Sequence, residues 1–322
     1  METVPYCFIE AVLRSDLSER ARRLDGVWGE LAEAYLERRG TLELRYAPYL
    51  RNEWRLYYQM QGFNHIKTRT LSPKVVKEMS RSIAAINLAF THDLREADGW
   101  TSVDPDDGED DAVVLLLTGL DAPSKHVWLH ISHGFRPLGP KCVEMLSRYP
   151  RLLRTFTTIR LGTYTEPSYI QLLEDAVATG RVQRISIISS VFHRELVPAV
   201  LPTSFWVNYF FSESCRTLHV HFEDLDVPLG VIDRWQKTDP RTLAPNKLFT
   251  GIMTTANDME EQDVDMTTIL LSEAEPEVAK IVRLLAPGMS FLSLRYICHP
   301  VDPNSRIYVV FREENDCSLL FR

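Results

Sequence analysis

Two histidines separated by one residue, His219 and His221, form the strongest metal-like pattern in this sequence of 322 residues. Alternation along a strand places both imidazoles on one face, where two ligands for a metal such as zinc could converge. Glu223, Asp224 and Asp226 follow, but no third ligand comes at a spacing typical of metal sites. Because the apolar residues beside the histidines take the core face, we expect ordinary surface histidines and no metal.

A cysteine and an arginine, Cys142 and Arg148, have the outer spacing of the phosphate-binding loop of protein phosphatases. The residues between them include no glycine, which such a loop needs to aim backbone N–H groups at phosphate. The stretch from Lys141 to Tyr149 instead predicts a helix that ends before Pro150. Glycine-rich nucleotide loops and the Gly-x-Ser-x-Gly motif of hydrolases are absent as well. We therefore expect no catalytic residue, no cofactor and no enzyme activity.

Charge and composition restrict the partners. The chain has a net charge of −8, and its first 100 residues carry 15 Lys+Arg against 14 Asp+Glu, so the acidic excess follows them. This balance disfavours nucleic acid as a partner. The acidic run at 104–111 lacks the spaced ligands of an EF-hand, and we interpret it as a solvated loop.

Cysteine usage and hydropathy indicate the compartment. Five scattered cysteines without a Cys-x-x-Cys pair suggest reduced thiols, and we expect a cytoplasmic or nuclear protein. No apolar run approaches the ~20 residues of a membrane-spanning helix, so we expect no membrane partner.

The elements that would position these side chains alternate between strand and helix from residue 112 to about residue 285. The predicted strands cover residues 127–131, 157–161, 184–188, 218–222 and 248–252. A unit that repeats at roughly 25–35 residues predicts an irregular α/β solenoid of leucine-rich-repeat type. The alternative is an ordinary α/β sheet. Two alternating strands at 291–298 and 306–311, with a third at 317–321, predict a small closing β-sheet.

The preceding part of the chain predicts fewer strands. Residues 41–46 alternate and predict one. Ser72 and Pro73 predict a helix start, and apolar residues continue that helical pattern toward Phe90. We therefore divide the chain into a helical opening at 1–45, a helical connector with the acidic loop at 46–111, and an α/β domain at 112–322.

The first forty residues contain two short amphipathic helical patterns. The first follows Pro5 and places apolar residues at Phe8, Ile9, Val12 and Leu13. The second has apolar residues three or four positions apart, at Leu24, Trp28, Leu31 and Tyr35. Two short helices cannot bury both faces on each other, so either the rest of the chain or a partner covers them.

This opening resembles the F-box, and its Met-x-x-Val-Pro-aromatic start resembles in particular the divergent F-box-like proteins of nematode expansions. The resemblance implies a substrate-recruiting role in a cullin–RING ubiquitin ligase, with a Skp-type adaptor as one partner and an unknown protein substrate as the other. The adaptor-binding residues that it implies are Pro5, Phe8, Ile9, Leu13, Leu17 and Trp28. The alternatives are a repeat-like interaction protein without a ligase link and an enzyme of unrecognised type.

The sheet predicts where such a substrate would bind. In a solenoid the helices cover one face of the sheet and leave the other face open. The polar residues opposite the core positions are Arg160, Arg184, Ser186, His219 and His221. We predict that they bind the substrate, and that the two histidines make binding sensitive to pH near roughly 6–7.

Overall fold

The computed structural model describes most of the chain after residue 25. The described ranges are residues 26–48, 53–91, 99–103, 110–129, 138–149, 152, 155–162, 167–187, 201–244, 246–285, 291–312 and 315–322. The chain divides into two compact units, residues 1–158 and 159–322. The segment boundaries predicted after residues 45 and 111 both lie inside the first unit.

The first unit is a mixed sheet with helices. Its described helices are α1 (Val27–Arg38), α2 (Pro73–Met79), α3 (Asp110–Gly119) and α4 (Gly139–Arg148). Its described strands are β1 (Gly40–Pro48), β2 (Trp54–Gly62), β3 (Ile83–Phe90), β4 (Thr101–Ser102) and β5 (Ser124–Leu129). The strand order is β5-β3-β1-β2-β4. The pairs β1–β3 and β3–β5 are parallel, and the pairs β1–β2 and β2–β4 are antiparallel.

Alternation along β1 produces one buried and one half-buried face, as the sequence predicts. Leu42, Leu44 and Tyr46 are fully buried, and the residues between them are half-buried. The Tyr46 hydroxyl donates a hydrogen bond of 3.0 Å to Glu144 Oε1 of α4. Helix α4 therefore lies against the apolar face of this sheet.

The helix predicted from Ser72 toward Phe90 is wrong beyond Met79. Helix α2 begins as expected, with the Ser72 hydroxyl accepting from the Val75 backbone N–H, but it ends after seven residues. The chain then forms β3 between β1 and β5. Its apolar residues fit both periodicities, because Ile83, Ile86 and Phe90 have helical spacing while Ile86, Leu88 and Phe90 alternate along the buried face of a strand whose other face is half-buried. The predicted helical connector at 46–111 consequently contains β2, β3 and β4.

The second unit contains a longer mixed sheet. Its described strands are β6 (Thr158–Leu161, whose first residue belongs to the first unit), β7 (Arg184–Ile187), β8 (Thr217–Val220), β9 (Lys247–Met253), β10 (Thr267–Ile269), β11 (Phe291–Cys298), β12 (Arg306–Arg312) and β13 (Asp316–Phe321). Its described helices are α5 (Pro167–Ala178), α6 (Thr203–Phe211), α7 (Asp226–Lys237), α8 (Ala256–Glu261) and α9 (Pro276–Leu285), with a 3-10 turn at Pro240–Thr242.

The strand order of this sheet is β6-β7-β8-β9-β13-β12-β11-β10. The pairs β7–β8 and β8–β9 are parallel, and the pairs from β9 to β10 are antiparallel. Strands β5 to β9 lie where the five repeat strands were predicted, and β11, β12 and β13 lie where the closing strands were predicted. The closing strands do not form a separate sheet, because β13 pairs directly with β9. The protein is thus a mixed α/β protein, and a leucine-rich-repeat array stays a prediction.

Helices α6 and α7 cover one face of the second sheet. Residues at alternate positions on this face are fully buried: Ile159, Ile185, Leu218 and Phe249. The Phe210 ring of α6 lies 6.0 Å from Phe249 and 4.9 Å from Phe321, measured between ring centroids. Helix α9 lies on the opposite face, where Val278 and Val282 pack against residues of β11, β12 and β13: Leu294, Tyr308, Val310 and Leu320.

Among the described residues, no helix is both long enough and apolar enough to cross a lipid bilayer.

Candidate functional site

Four strands of the second unit present polar side chains on the face that α6 and α7 leave uncovered. We call this surface the polar face and define it by Arg160, Arg184, Ser186, His219 and Thr250. Arg160 and Arg184 are exposed, and Ser186 and His219 are half-buried. Solvent therefore reaches Arg160 and Arg184, whereas Thr250 is buried, on the face of the sheet where α9 also lies.

The register of the strands sets the polar side chains side by side. Ser186 pairs with His219 across β7 and β8, and His219 pairs with Thr250 across β8 and β9. Thr250 in turn pairs with Ser318 of β13. The result is one row of hydroxyl, imidazole, hydroxyl and hydroxyl groups that runs across four strands. Such lateral neighbours stand close enough to interact directly.

His219 is held in this row by a hydrogen bond. Its Nδ1 atom lies 2.6 Å from the hydroxyl oxygen of Thr250. Burial, and to a smaller extent the charges of His221, Arg312 and Arg160, together lower the pKa of His219 from 6.5 to about 4. The imidazole is therefore neutral at pH 7. The expectation that His219 titrates near pH 6–7 is wrong, because the sequence pattern could not show how far the ring is buried.

His221 lies immediately after β8, and its ring centroid is 5.2 Å from that of His219. It stands against Gly251, whose φ of +84° is a conformation that other residues rarely adopt. A Cβ at position 251 would lie 2.6 Å from His221 Cδ2. Glycine is required there on two counts, since it supplies the positive φ and leaves space for the imidazole.

Arg312 and Asp316 lie at the end of the row that β13 forms. The Arg312 Nη2 group donates to Asp316 Oδ1 at 2.7 Å and to Ser318 Oγ at 3.1 Å. Its Nη1 group donates to the Leu285 carbonyl at 2.8 Å, at the end of α9. Arg312 thus joins α9 to the sheet, and its charge is matched by Asp316.

The predicted substrate-binding residues share one surface but do not form one compact cluster. Arg160, Ser186, His219 and His221 lie on β6, β7 and β8 or just after them. Arg184 lies two residues before Ser186, at the amino end of β7, and its charge also acts on the buried Tyr209 hydroxyl of α6. Thr250, which orients His219, was not predicted, because the contact depends on a register between residues 31 positions apart.

Most of the predicted adaptor-binding residues lie outside the described part of the chain. This applies to Pro5, Phe8, Ile9, Leu13 and Leu17. Trp28 lies on α1, is half-buried, and packs with Leu31 and Tyr35 around the fully buried Ala32. From Trp28 to Tyr35 the second helical pattern is therefore a helix whose apolar side chains pack together, and Leu24 lies outside the described residues.

The cysteine considered as a nucleophile is a core residue. Cys142 lies on α4, is fully buried, and has a thiol pKa raised to about 12 by that burial. A thiol that stays protonated and inaccessible cannot attack a phosphate or carbonyl. The described residues also contain no group of three His, Cys, Asp or Glu side chains that could hold a metal ion.

Comparison of the chain with family models, with curated proteins and with solved structures finds no match in any of the three.

Proposed function

We propose that this protein is a non-catalytic adaptor that recruits a protein partner through the polar face of its second unit. The observation that carries the proposal is the face itself, where two exposed arginines lie beside half-buried serine and histidine side chains on one side of a sheet. Arginine can make several directed hydrogen bonds, and short hydroxyl side chains adapt to a partner at little entropic cost.

We further propose that the opening segment docks on a Skp-type adaptor of a cullin–RING ubiquitin ligase. The support is the resemblance of residues 1–40 to the F-box, which places apolar side chains on one face of each helical pattern. In this arrangement the two ends of the chain have separate tasks. The opening would bind the ligase, and the second unit would present the substrate.

A second candidate function is an interaction protein without a ligase link. The packing of α1 favours it, because Ala32 is fully buried and the chain passes from Arg38 to β1 through one residue. A helix anchored in this way can be part of the first unit's own structure. The polar face would then recruit partners for another purpose.

The recruiting role is tested by quantitative affinity purification of the full chain from cells. The wild type is compared with the double variant Arg160→Glu/His219→Glu and with Lys237→Glu, a charge reversal on an exposed residue of α7. We expect a set of proteins to disappear from the double variant and to remain with Lys237→Glu. Identical protein sets from all three chains, each with an unchanged far-UV circular dichroism spectrum, would show that the polar face recruits nothing.

A further inference from the structure

We propose that the outer edge of β10, the edge that does not pair with β11, binds an extended segment of a partner protein in which lysine or arginine alternates with apolar residues. The segment would pair with β10 as an additional strand of the sheet. This surface is separate from the polar face, and the inference does not depend on the proposed function. It follows from the position of β10 in the sheet and from the charges around it.

Strand β10 ends the sheet. Among the described strands it pairs only with β11, in antiparallel register. Thr267 and Thr268 are exposed, and Ile269 is half-buried. The backbone N–H and carbonyl groups of Leu270, just after β10, are bonded to Glu273, so the accessible edge comes before Leu270. Such an edge presents backbone groups to which an extended peptide can bond.

This edge is short, but it otherwise lacks the features with which proteins prevent unwanted strand pairing. Charged residues, lysine above all, and proline commonly serve that purpose on edge strands. The stretch from Met266 to Ile269 contains no charged residue, no proline and no glycine. Threonine and isoleucine also fit a pleated strand well. The edge is therefore suited to accept another strand.

The two faces of the sheet beside this edge differ in their chemistry. On the face where α9 lies, Ile269 and Leu271 pack against the apolar cluster of that helix and are only half-buried. On the other face, Thr268 pairs with Arg295, whose guanidinium contacts Glu260 of α8. An added strand presents its side chains alternately to the two faces. Apolar side chains suit the first face, and basic side chains suit the second.

The charges around β10 are predominantly acidic. Residues 256–285, which include α8, β10 and α9, contain eight Asp+Glu against two Lys+Arg. Arg295 of β11 and Arg322 at the end of the chain pair with three of these carboxylates. Even when both arginines are counted, the acidic residues of this region outnumber the basic ones by four.

Three of the acidic residues come shortly before β10. Glu261, Asp263 and Asp265 are exposed, and residues 254–279 include no lysine or arginine. Within the described part of the chain, none of the three forms an ion pair. A basic segment that approaches β10 is therefore attracted. A second copy of this chain would bring the same acidic segment to the edge and be repelled, which favours a different protein as the partner.

Fluorescence anisotropy of the full-length protein with labelled eight-residue peptides tests the inference. The probe alternates lysine and valine, and three control peptides change one property each. The first replaces every lysine by glutamate, the second places four lysines before four valines, and the third carries a methyl group on every backbone nitrogen. We expect the probe to bind at least ten-fold more tightly than each control, because strand addition needs the charges, the alternation and the backbone N–H donors.

Two charge reversals locate the site. Asp265→Lys should weaken binding of the probe at least five-fold. Glu223→Lys makes the same change of net charge just after β8, which lies five strands from β10, or about 24 Å. Both side chains are exposed, and Glu223→Lys should alter the affinity less than two-fold. Circular dichroism of each variant shows whether the fold is retained.

Four results would overturn the inference. Equal binding of the probe and the glutamate peptide would show that charge is not recognised. Equal binding of the probe and either of the other control peptides would show that no strand is added. Equal losses in folded Asp265→Lys and Glu223→Lys proteins would place the binding away from β10. A wild type that forms dimers in analytical ultracentrifugation, and that Thr268→Lys converts to a folded monomer, would assign the edge to a second copy of the chain.

Discussion

His219 Nδ1 and the Thr250 hydroxyl oxygen lie 2.6 Å apart, and this contact links two parallel strands at the centre of the polar face. It fixes the orientation of the imidazole in a half-buried position. Because the ring is shielded and has positive neighbours, its pKa is lowered to about 4. Burial and these charges therefore keep His219 a neutral hydrogen-bonding group over the physiological pH range.

This lowered pKa predicts a loss of stability in mild acid. The unfolded chain takes up a proton at His219 near pH 6.5, and the folded chain does so only near pH 4. The stabilisation is complete above pH 6.5 and is lost as the pH falls toward 4. We expect His219 to account for about 1–2 kcal/mol of the decrease in unfolding free energy between pH 7 and pH 5.

The measurement is urea unfolding of the wild type and of His219→Gln at both pH values. The variant should show the smaller decrease, because glutamine does not titrate while its amide keeps hydrogen-bonding capacity near Thr250. Equal decreases in the two proteins would mean that the His219 ring titrates normally in the folded state.

Gly251 should not tolerate a side chain. We expect Gly251→Ala to destabilise the protein by about 2–3 kcal/mol, from the strain of its positive φ and the collision with His221. Gly180→Ala is the matched control, because Gly180 also has a positive φ of +66° but an added Cβ meets nothing within 4 Å.

Thermal or urea unfolding of four proteins separates the two causes: the wild type, Gly251→Ala, Gly180→Ala and the double variant Gly251→Ala/His221→Ala. Gly180→Ala should cost only about 1 kcal/mol. Adding Gly251→Ala to a His221→Ala background should then cost about as much as Gly180→Ala. If Gly251→Ala costs no more than Gly180→Ala, His221 does not press against that position.

His299 should stabilise the end of α7. Its Nε2 atom lies 3.0 Å from the carbonyl oxygens of both Trp235 and Thr238, and its Nδ1 atom accepts from the Val301 and Asp302 backbone N–H groups at 3.2 and 3.3 Å. Both nitrogens are therefore used within the protein, which gives His299 a structural role.

We expect His299→Phe to lower the unfolding free energy by about 1–3 kcal/mol, because four backbone groups, in buried and partly buried surroundings, lose their partner. The ring contact with Trp235, at 4.7 Å between centroids, can persist in phenylalanine. His126→Phe is the control for loss of a histidine that bonds a side chain, since His126 is half-buried on β5 and its Nε2 atom lies 2.6 Å from Ser124 Oγ. A cost below about 0.5 kcal/mol for His299→Phe would show that solvent replaces these hydrogen bonds.

The strands of the polar face could be predicted because their apolar residues alternate and the turns between them are marked. Pro167 and Gly180 similarly indicate the bounds of α5. The prediction of a helix at 83–90 is wrong, because Ile83, Ile86 and Phe90 suit a helix and a buried strand equally well. The segment is a strand because it pairs with β1 and β5, and the sequence of the segment itself does not show that pairing.

In the candidate site, too, some features could be predicted from the sequence and others could not. The positions of Arg160, Ser186 and His219 on one face follow from alternation along each strand. The contact of His219 with Thr250 and the positive φ of Gly251 depend on how β8 and β9 align, which no local pattern specifies. Sequence therefore predicts which side chains share the face, and the register determines which of them touch.

The most direct test of the proposed ligase role is isothermal titration calorimetry, in which a purified Skp-type adaptor is titrated into the full-length chain. We predict a one-to-one complex for the wild type, and none for Leu13→Asp or Phe8→Asp, whose thermal unfolding should match that of the wild type. Arg160→Glu should bind the adaptor normally, because the polar face is proposed to bind the substrate and not the adaptor. A wild-type chain that releases no heat and elutes apart from the adaptor in gel filtration would contradict the ligase role, as would unchanged binding of both opening variants.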